Sequence, residues 1–373
     1  MSDSLATRGL VEYVRGNRLN ILLLALPIGL VLEFLGASDV LVFVFSALAV
    51  VPLAGLIGGA TEQVARYVGP SLGGFLNATF GNAAELIIAV LALRQGLVEV
   101  VKASLTGSLL GNVLLVLGAA MLVGGWGRER QVFNRTAVGA SGGLLLLAVG
   151  ALYMPDIYAE TLNGDRPENA PNILLISLLV SIVMLGAYAA SLVFTLKTHR
   201  PVLGAAAPEE HEPPELGRRD AVLLLAGATV LTAVAAEVLV GSIQEAATVL
   251  GLSELFVGGV VVAIVGNAAE HFSAVMFARR DHMDLSVGIA LGSASQVALV
   301  VAPIAVVVSV LVGHPMVLVF DHFELGAILI AVLGACFLAL DGESNWFEGT
   351  LLLAIYLIVA IIFFFVPQTS IAP

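Results

Sequence analysis

Long apolar runs alternate along the chain with short polar breaks. Eleven runs can be read: Leu19–Leu35, Val40–Ala60, Leu72–Arg94, Val98–Val123, Thr136–Met154, Asn172–Leu196, Ala221–Val240, Leu255–Ala278, Leu285–Val312, Phe323–Leu340 and Trp346–Val366. Most reach the roughly 20 residues that an α-helix needs to cross about 30 Å of hydrocarbon. A transmembrane β-strand takes about 10 residues with strict alternation, and these runs are too long and too continuously apolar for that. In lipid the backbone must satisfy its own hydrogen bonds, so helices follow. The pattern predicts an all-α polytopic membrane protein of about eleven transmembrane helices.

Composition agrees. Of 373 residues, 59% are hydrophobic and 12% charged, against roughly 45–50% and 25% in soluble domains. The net charge of -12 is accompanied by no basic patch, so no nucleic-acid partner is expected. Cys336 is the single cysteine; an intrachain disulfide is impossible and the redox compartment is not readable from it.

The basic residues orient the chain. The N-terminal tail and the breaks on its side carry Arg8, Arg15, Arg18, Arg66, Arg128, Arg130, Arg135, Lys197, Arg200, Arg218, Arg219, Arg279 and Arg280; the other side carries Arg94, Lys102 and Arg166. Basic residues mark the cytoplasmic side. The N-terminus and the central linker are expected in the cytoplasm, and the C-terminus on the opposite side. The first run has a rival reading, a cleaved signal peptide ending near "LGAS". With 17 residues and Glu33 near its end it suits a membrane span better.

"GNAAE" occurs at Gly81–Glu85 and again at Gly266–Glu270, an offset of 185 residues. At that offset Ala89-Val90 meets Ala274-Val275, Arg94 meets Arg279, and Gly107-Ser108 meets Gly292-Ser293. The chain therefore reads as a duplication: residues 1–36 with the first helix, a five-helix repeat at 37–198, a linker at 199–219 and a second five-helix repeat at 220–373. An odd number of helices per repeat inverts the second copy, and inverted repeats place their binding site at the midplane. Glu85 and Glu270 are then expected to meet at one central point.

A carboxylate at the bilayer centre costs about 2.5–3.5 kcal/mol on insertion scales and is by default a functional group. Asn82 and Glu85, and equally Asn267 and Glu270, stand at i and i+3, so each copy offers a carboxylate beside an amide oxygen. Gly81 and Gly266 allow close helix approach or a local break that frees carbonyl oxygens. Such an all-oxygen, doubly negative set suits a hard divalent cation; Ca2+ takes 6–8 oxygens. Two facing carboxylates relieve their repulsion either by binding that cation or by taking up protons. Metal and protons thus compete for the same oxygens, with His271 a lone imidazole beside Glu270. Ser108, Asn112, Ser293 and Gln296, on the next helix of each half, can turn oxygens toward the cation or simply pack. Glu62, Glu245 and the deeper Glu237 are candidate cation-access or gating groups, or ordinary interfacial charges. Glu209, Glu210, Glu212 and Glu215 make the linker an acidic element that either collects cations or is merely solvated.

The doubled "GNAAE", "GNAAEH" at Gly266–His271 followed by "GSASQ" at Gly292–Gln296, and the acidic linker together resemble the Ca2+/H+ exchangers, the cation exchanger branch of the Ca2+/cation antiporter superfamily. The resemblance covers essentially the whole chain. It implies an extra first helix plus two inverted five-helix repeats, and expulsion of cytosolic Ca2+ against entering protons by alternating access. It implies that Glu85 and Glu270 are the central Ca2+/H+ carboxylates, with Ser108, Ser293 and Gln296 at the polar positions of the fourth and ninth helices. Na+-coupled exchangers are the close alternative, but their repeats are richer in Ser, Thr and Asp than the Ala-Ala before each Glu here. A divalent cation channel is the alternative from another class; the inverted duplication favours a transporter. No nucleophile–base set points to an enzyme. No cofactor is expected beyond the transported ions, and the partners are Ca2+, protons and the bilayer, with a homo-oligomer left open.

Overall fold

The computed structural model describes residues 9–163, 169–199 and 214–366. Arg8, Arg166 and Arg200, and the linker acids Glu209, Glu210 and Glu212, lie outside the described residues.

All eleven apolar runs are helical. Among the described residues, seven helices are long and apolar enough to cross a membrane: Asp39–Val68, Val98–Gly125, Arg135–Asn163, Ile173–Thr198, Arg218–Leu250, Met283–Leu311 and Trp346–Phe365. Two bent pairs bring the number to nine if each is counted as one span. Leu10–Gly16 meets Arg18–Phe34 at 104°, and Glu254–Gly266 meets Ala268–Arg279 at 59°. The remaining two runs are shorter or divided helices. His322–Leu338 is a shorter apolar helix, and Leu72–Arg94 is divided into Pro70–Phe80 and Ala83–Arg94 by a break at Gly81-Asn82.

Apolar faces gain little from meeting one another in lipid, so close packing of small residues has to hold the helices together. Gly107 shows how close. A Cβ on it would stand 1.9 Å from the Gly259 carbonyl oxygen, so the two backbones cross with no room for any side chain. Gly118 and Gly349 make a comparable crossing between Val98–Gly125 and Trp346–Phe365.

One span fixes the directions of the two "GNAAE" helices. Ala83–Arg94 turns through Gln95–Leu97 into the start of the Val98–Gly125 span. At the far end of that span, Gly124 packs against Ala278, and the Arg128 side chain donates to the Arg279 carbonyl at 3.2 Å. The C-termini of Ala83–Arg94 and Ala268–Arg279 therefore lie at opposite ends of one helix.

Two short strands join distant loops on the Arg279 side. β1 (Gln131–Val132) pairs antiparallel with β2 (Glu343–Ser344), Gln131 opposite Ser344 and Val132 opposite Glu343. Arg130 reinforces the clasp with a 2.7 Å ion pair to Glu343. Two-residue strands leave no periodicity to read, which is why the sequence gives no sign of them. The long helices Asp39–Val68 and Arg218–Leu250 pack against each other in antiparallel fashion. The tail of the linker is tied to the first of them: Tyr67 donates to the Leu216 carbonyl at 2.6 Å, and the Gln63 side-chain oxygen accepts from the Glu215 N–H at 2.8 Å. This end of the linker is anchored rather than freely solvated.

Candidate functional site

Each "GNAAE" motif is a helix break. Asn82 and Asn267 have non-helical backbones (φ -104, ψ 29 and φ -97, ψ 11) and stand immediately before the helices Ala83–Arg94 and Ala268–Arg279. Glu85 and Glu270 occupy the first turns of those helices. The sequence reading put each Asn–Glu pair on one continuous helix face; the break changes that geometry and its meaning. A helix start presents unsatisfied N–H groups and the positive end of the helix dipole, which favour a carboxylate in the first turn.

The two copies meet. A Cβ on Gly266 would lie 3.4 Å from Glu85 Cγ and 3.8 Å from its Oε1, so the first copy's carboxylate rests on the second copy's glycine. On the other side of the site, a Cβ on Gly81 would lie 3.5 Å from Gln296 Oε1. Glu85 is buried and Glu270 half-buried, and the two are near enough for their charges to interact.

A polar network crosses between the halves around them. Asn112 Nδ2 donates to Asn267 Oδ1 at 2.9 Å, to Ser293 Oγ at 3.1 Å and to the Ser108 carbonyl at 3.0 Å. Asn267 Nδ2 donates to Ser108 Oγ at 2.9 Å and to the Ala263 carbonyl at 2.9 Å. Ser293 Oγ donates to Asn82 Oδ1 at 3.2 Å, and Asn82 Nδ2 donates to Gln296 Oε1. Every predicted site residue of the two motifs and of "GS…N" and "GSASQ" is thus gathered at one place.

The network also sorts them. Both motif asparagines already accept a hydrogen bond on their side-chain oxygen. Among these site residues, the buried oxygens without a partner are both atoms of Glu85, Oε2 of Glu270 and Oδ1 of Asn112. Leaving buried acceptors unmade is expensive, about 1–3 kcal/mol each, and a cation or protons would relieve that cost. His271 also has a buried unpartnered nitrogen, Nε2, which faces Gly111, whose added Cβ would lie 3.8 Å from it. Sequence reasoning missed Tyr188, whose hydroxyl reaches Gln296 from the helix Ile173–Val193; a lone Tyr in an apolar run carries no signal of its partner.

The helices after the motifs are irregular at matching places. Gly111–Val116 and Val297–Val301 are π-helical, each just beyond the Ser of its Gly-Ser pair. Such bulges commonly mark functional sites. Outside this centre, Glu62 is exposed and paired with Arg66 at 2.8 Å. Glu245 is exposed toward the other end of the antiparallel helix pair, and Glu237 is exposed near the middle of Arg218–Leu250. None of these three joins the central network. Glu215, the described member of the linker acids, lies at the anchored linker end.

The geometry can be set beside known proteins. The family model for the sodium/calcium exchanger protein matches residues 38–197 and 221–365. The chain belongs to this family. The two matched stretches divide this exchanger family member at the linker, one motif copy in each. Among its relatives, a protein named Ca(2+)/H(+) antiporter from Synechocystis sp. is 43% identical over 93% of this chain and 97% of its own length. The Ca(2+)/H(+) antiporter ChaA of Bacillus subtilis is 42% identical over 93% of this chain and 99% of its own. The structure of native YfkE superposes with a TM-score of 0.80 at 38% identity, covering 93% of this chain and 100% of that one. The crystal structure of the H+/Ca2+ exchanger CAX, at 16% identity and a TM-score of 0.67, shares the fold.

Proposed function

We propose that the chain is a secondary active antiporter that exchanges cytosolic Ca2+ for protons at the Glu85–Glu270 centre. The observation that carries this reading is the set of four unpartnered buried oxygens from Glu85, Glu270 and Asn112, held where the two motif copies meet. The names of its relatives point the same way. In this reading Glu85, Glu270 and Asn112 bind the cation directly. Asn82 and Asn267 orient the cradle and can lend their second lone pairs, while Ser108, Ser293 and Gln296 fix the amides. Further oxygens from carbonyls freed at Gly81 and Gly266, or from water, complete the 6–8 that Ca2+ prefers.

The same carboxylates carry the protons. With Ca2+ gone, two neighbouring carboxylates with three buried oxygens lacking a partner are most cheaply kept by protonation, so cation and protons exclude each other. The half-helix starts at Ala83 and Ala268 sustain the anionic form long enough for the cation to take it. His271, beside Glu270, is placed to pass a proton.

The opposed directions of Ala83–Arg94 and Ala268–Arg279 support two inverted five-helix repeats after a first helix. On this arrangement the broken runs count as spans, eleven in all, with N-terminus and linker cytoplasmic and C-terminus opposite. In any one state an inverted pair must be unequal, which accords with a buried Glu85 and a half-buried Glu270. The helices Arg18–Phe34 and Ile173–Thr198 carry no motif copy and serve as the frame that moves. Glu62 and Glu245 sit at opposite ends as access groups, with Glu237 between them; the acidic linker collects cations at the cytoplasmic mouth.

The test is flux. Proteoliposomes take up 45Ca when a pH gradient is imposed and ignore a Na+ gradient under a valinomycin clamp. Uptake that follows Na+ and not pH overturns the proton-coupled reading.

A further inference from the structure

A second group of ligand-type side chains lies away from the central carboxylates. Asp156 and Glu160 are one turn apart near the end of Arg135–Asn163, and His322 is the first residue of His322–Leu338. One ligand atom from each lies within 4.8 Å of the other two. β1 precedes the first of these helices and β2 follows the second, so the paired strands hold their other ends on the opposite face. The cluster therefore sits on the face away from the clasp and from Arg128, Arg130 and Arg279.

The three residues are graded in exposure. His322 is exposed, Glu160 is half-buried, and Asp156 is only 4% exposed at the floor. Glu160 Oε1 contacts His322 Nε2 at 2.7 Å, an ordinary pair. Asp156 makes the cluster more than that pair, because its Oδ1 is buried and has no hydrogen-bond partner. The charged groups around Asp156 are Glu160, Asp321 and His322. Asp321 is committed elsewhere, capping the Phe323 N–H at 2.8 Å. Three carboxylates surround one imidazole, so the local field attracts a cation.

We propose that Asp156, Glu160 and His322 form a second cation site, for a divalent transition metal such as Zn2+. Two carboxylate oxygens and one imidazole nitrogen are a donor set for Zn2+ or Co2+ rather than for Ca2+, which takes oxygens alone. Bonds of about 2.0–2.2 Å in a tetrahedron put ligand atoms about 3.4 Å apart, so the Glu160–His322 pair, now at 2.7 Å, opens by about 0.7 Å, and Asp156, within 4.8 Å of both, closes by at most about 1.4 Å. The cation replaces the direct Glu160–His322 contact, satisfies Asp156, and leaves a fourth position to solvent. It bridges the two helices at that face, apart from the transported ion.

The test uses the tag-free, full-length protein in detergent carrying Glu85→Gln and Glu270→Gln, so that its outcome does not depend on the antiport reading. Co2+ is added and its visible absorption followed. The expected result is an intense d–d band that saturates at a single equivalent, is quenched by Zn2+ and survives excess Ca2+. His322→Gln in the same background, a change at an exposed side chain, keeps the size-exclusion profile and loses the band. It weakens Zn2+ binding in calorimetry by more than the roughly 10–100-fold that loss of an outer partner costs. A parent protein without the band, or a His322→Gln variant that keeps it, overturns the proposal.

Discussion

Asn112, like Asn267, makes three hydrogen bonds at the centre, two of them across the halves. Its Nδ2 serves three acceptors from both halves, and its Oδ1 is free for a cation. Asn112→Ala is expected to lower the melting temperature, at about 1–3 kcal/mol for the acceptors left behind. It is also expected to raise the Ca2+ concentration for half-maximal uptake by about tenfold or more, since about 1.4 kcal/mol of lost binding is already a factor of ten. Glu85→Gln and Glu270→Gln are each expected to abolish exchange in the 45Ca flux assay without disturbing the fold. Gly266→Ala gives a subtler test. Its new methyl presses on Glu85 Cγ from 3.4 Å, so transport falls while the melting temperature holds; full activity would count against a cation seat at Glu85. At this scale the sequence singled out the two glutamates, because a repeated intramembrane carboxylate is rarely structural. Its helix-face argument for the asparagines does not match the backbone. The i, i+3 argument assumes an unbroken helix, and Asn82 and Asn267 are where the helix breaks.

Between helices, the Gly107–Gly259 crossing is the tightest contact described. A methyl 1.9 Å from a carbonyl oxygen cannot be absorbed by a rotamer change. Gly107→Ala is expected to cost about 3 kcal/mol or more, the upper range for overpacking, and to show as loss of the monodisperse peak on size exclusion. Gly150→Ala is the matched control: the helix Arg135–Asn163 leaves open space there, and the change is neutral or slightly stabilising. Apolar runs located the long helices, since hydrocarbon tolerates little else. They could not reveal the breaks at Gly81-Asn82 and Gly266-Asn267, because Gly and Asn are tolerated inside membrane helices as well as between them. The π-helical turns at Gly111–Val116 and Val297–Val301 are equally silent in sequence; they follow from how each span fits its neighbours.

For the molecule as a whole, the proposed competition at one centre sets the expected response to pH. If lower pH protonates the carboxylates, the Ca2+ concentration for half-maximal uptake is expected to rise as pH falls. An apparent Ca2+ affinity unchanged across the neutral range would argue against shared oxygens. The duplication was legible from an offset of 185 residues. How tightly the copies interlock was not, since contacts such as Glu85 on Gly266 or β1 on β2 join positions far apart in the chain.

That interlocking bears on expression as two polypeptides. The first half lacks the glycine on which its glutamate rests, the second lacks Asn112, and each leaves one strand of the clasp unpaired. Produced alone, either half is an incomplete surface and is expected to be degraded. Co-expressed from two genes split within the linker, the halves are expected to find each other in the bilayer and restore Ca2+ uptake. The linker's covalent contribution is then equal stoichiometry and faster encounter rather than stability.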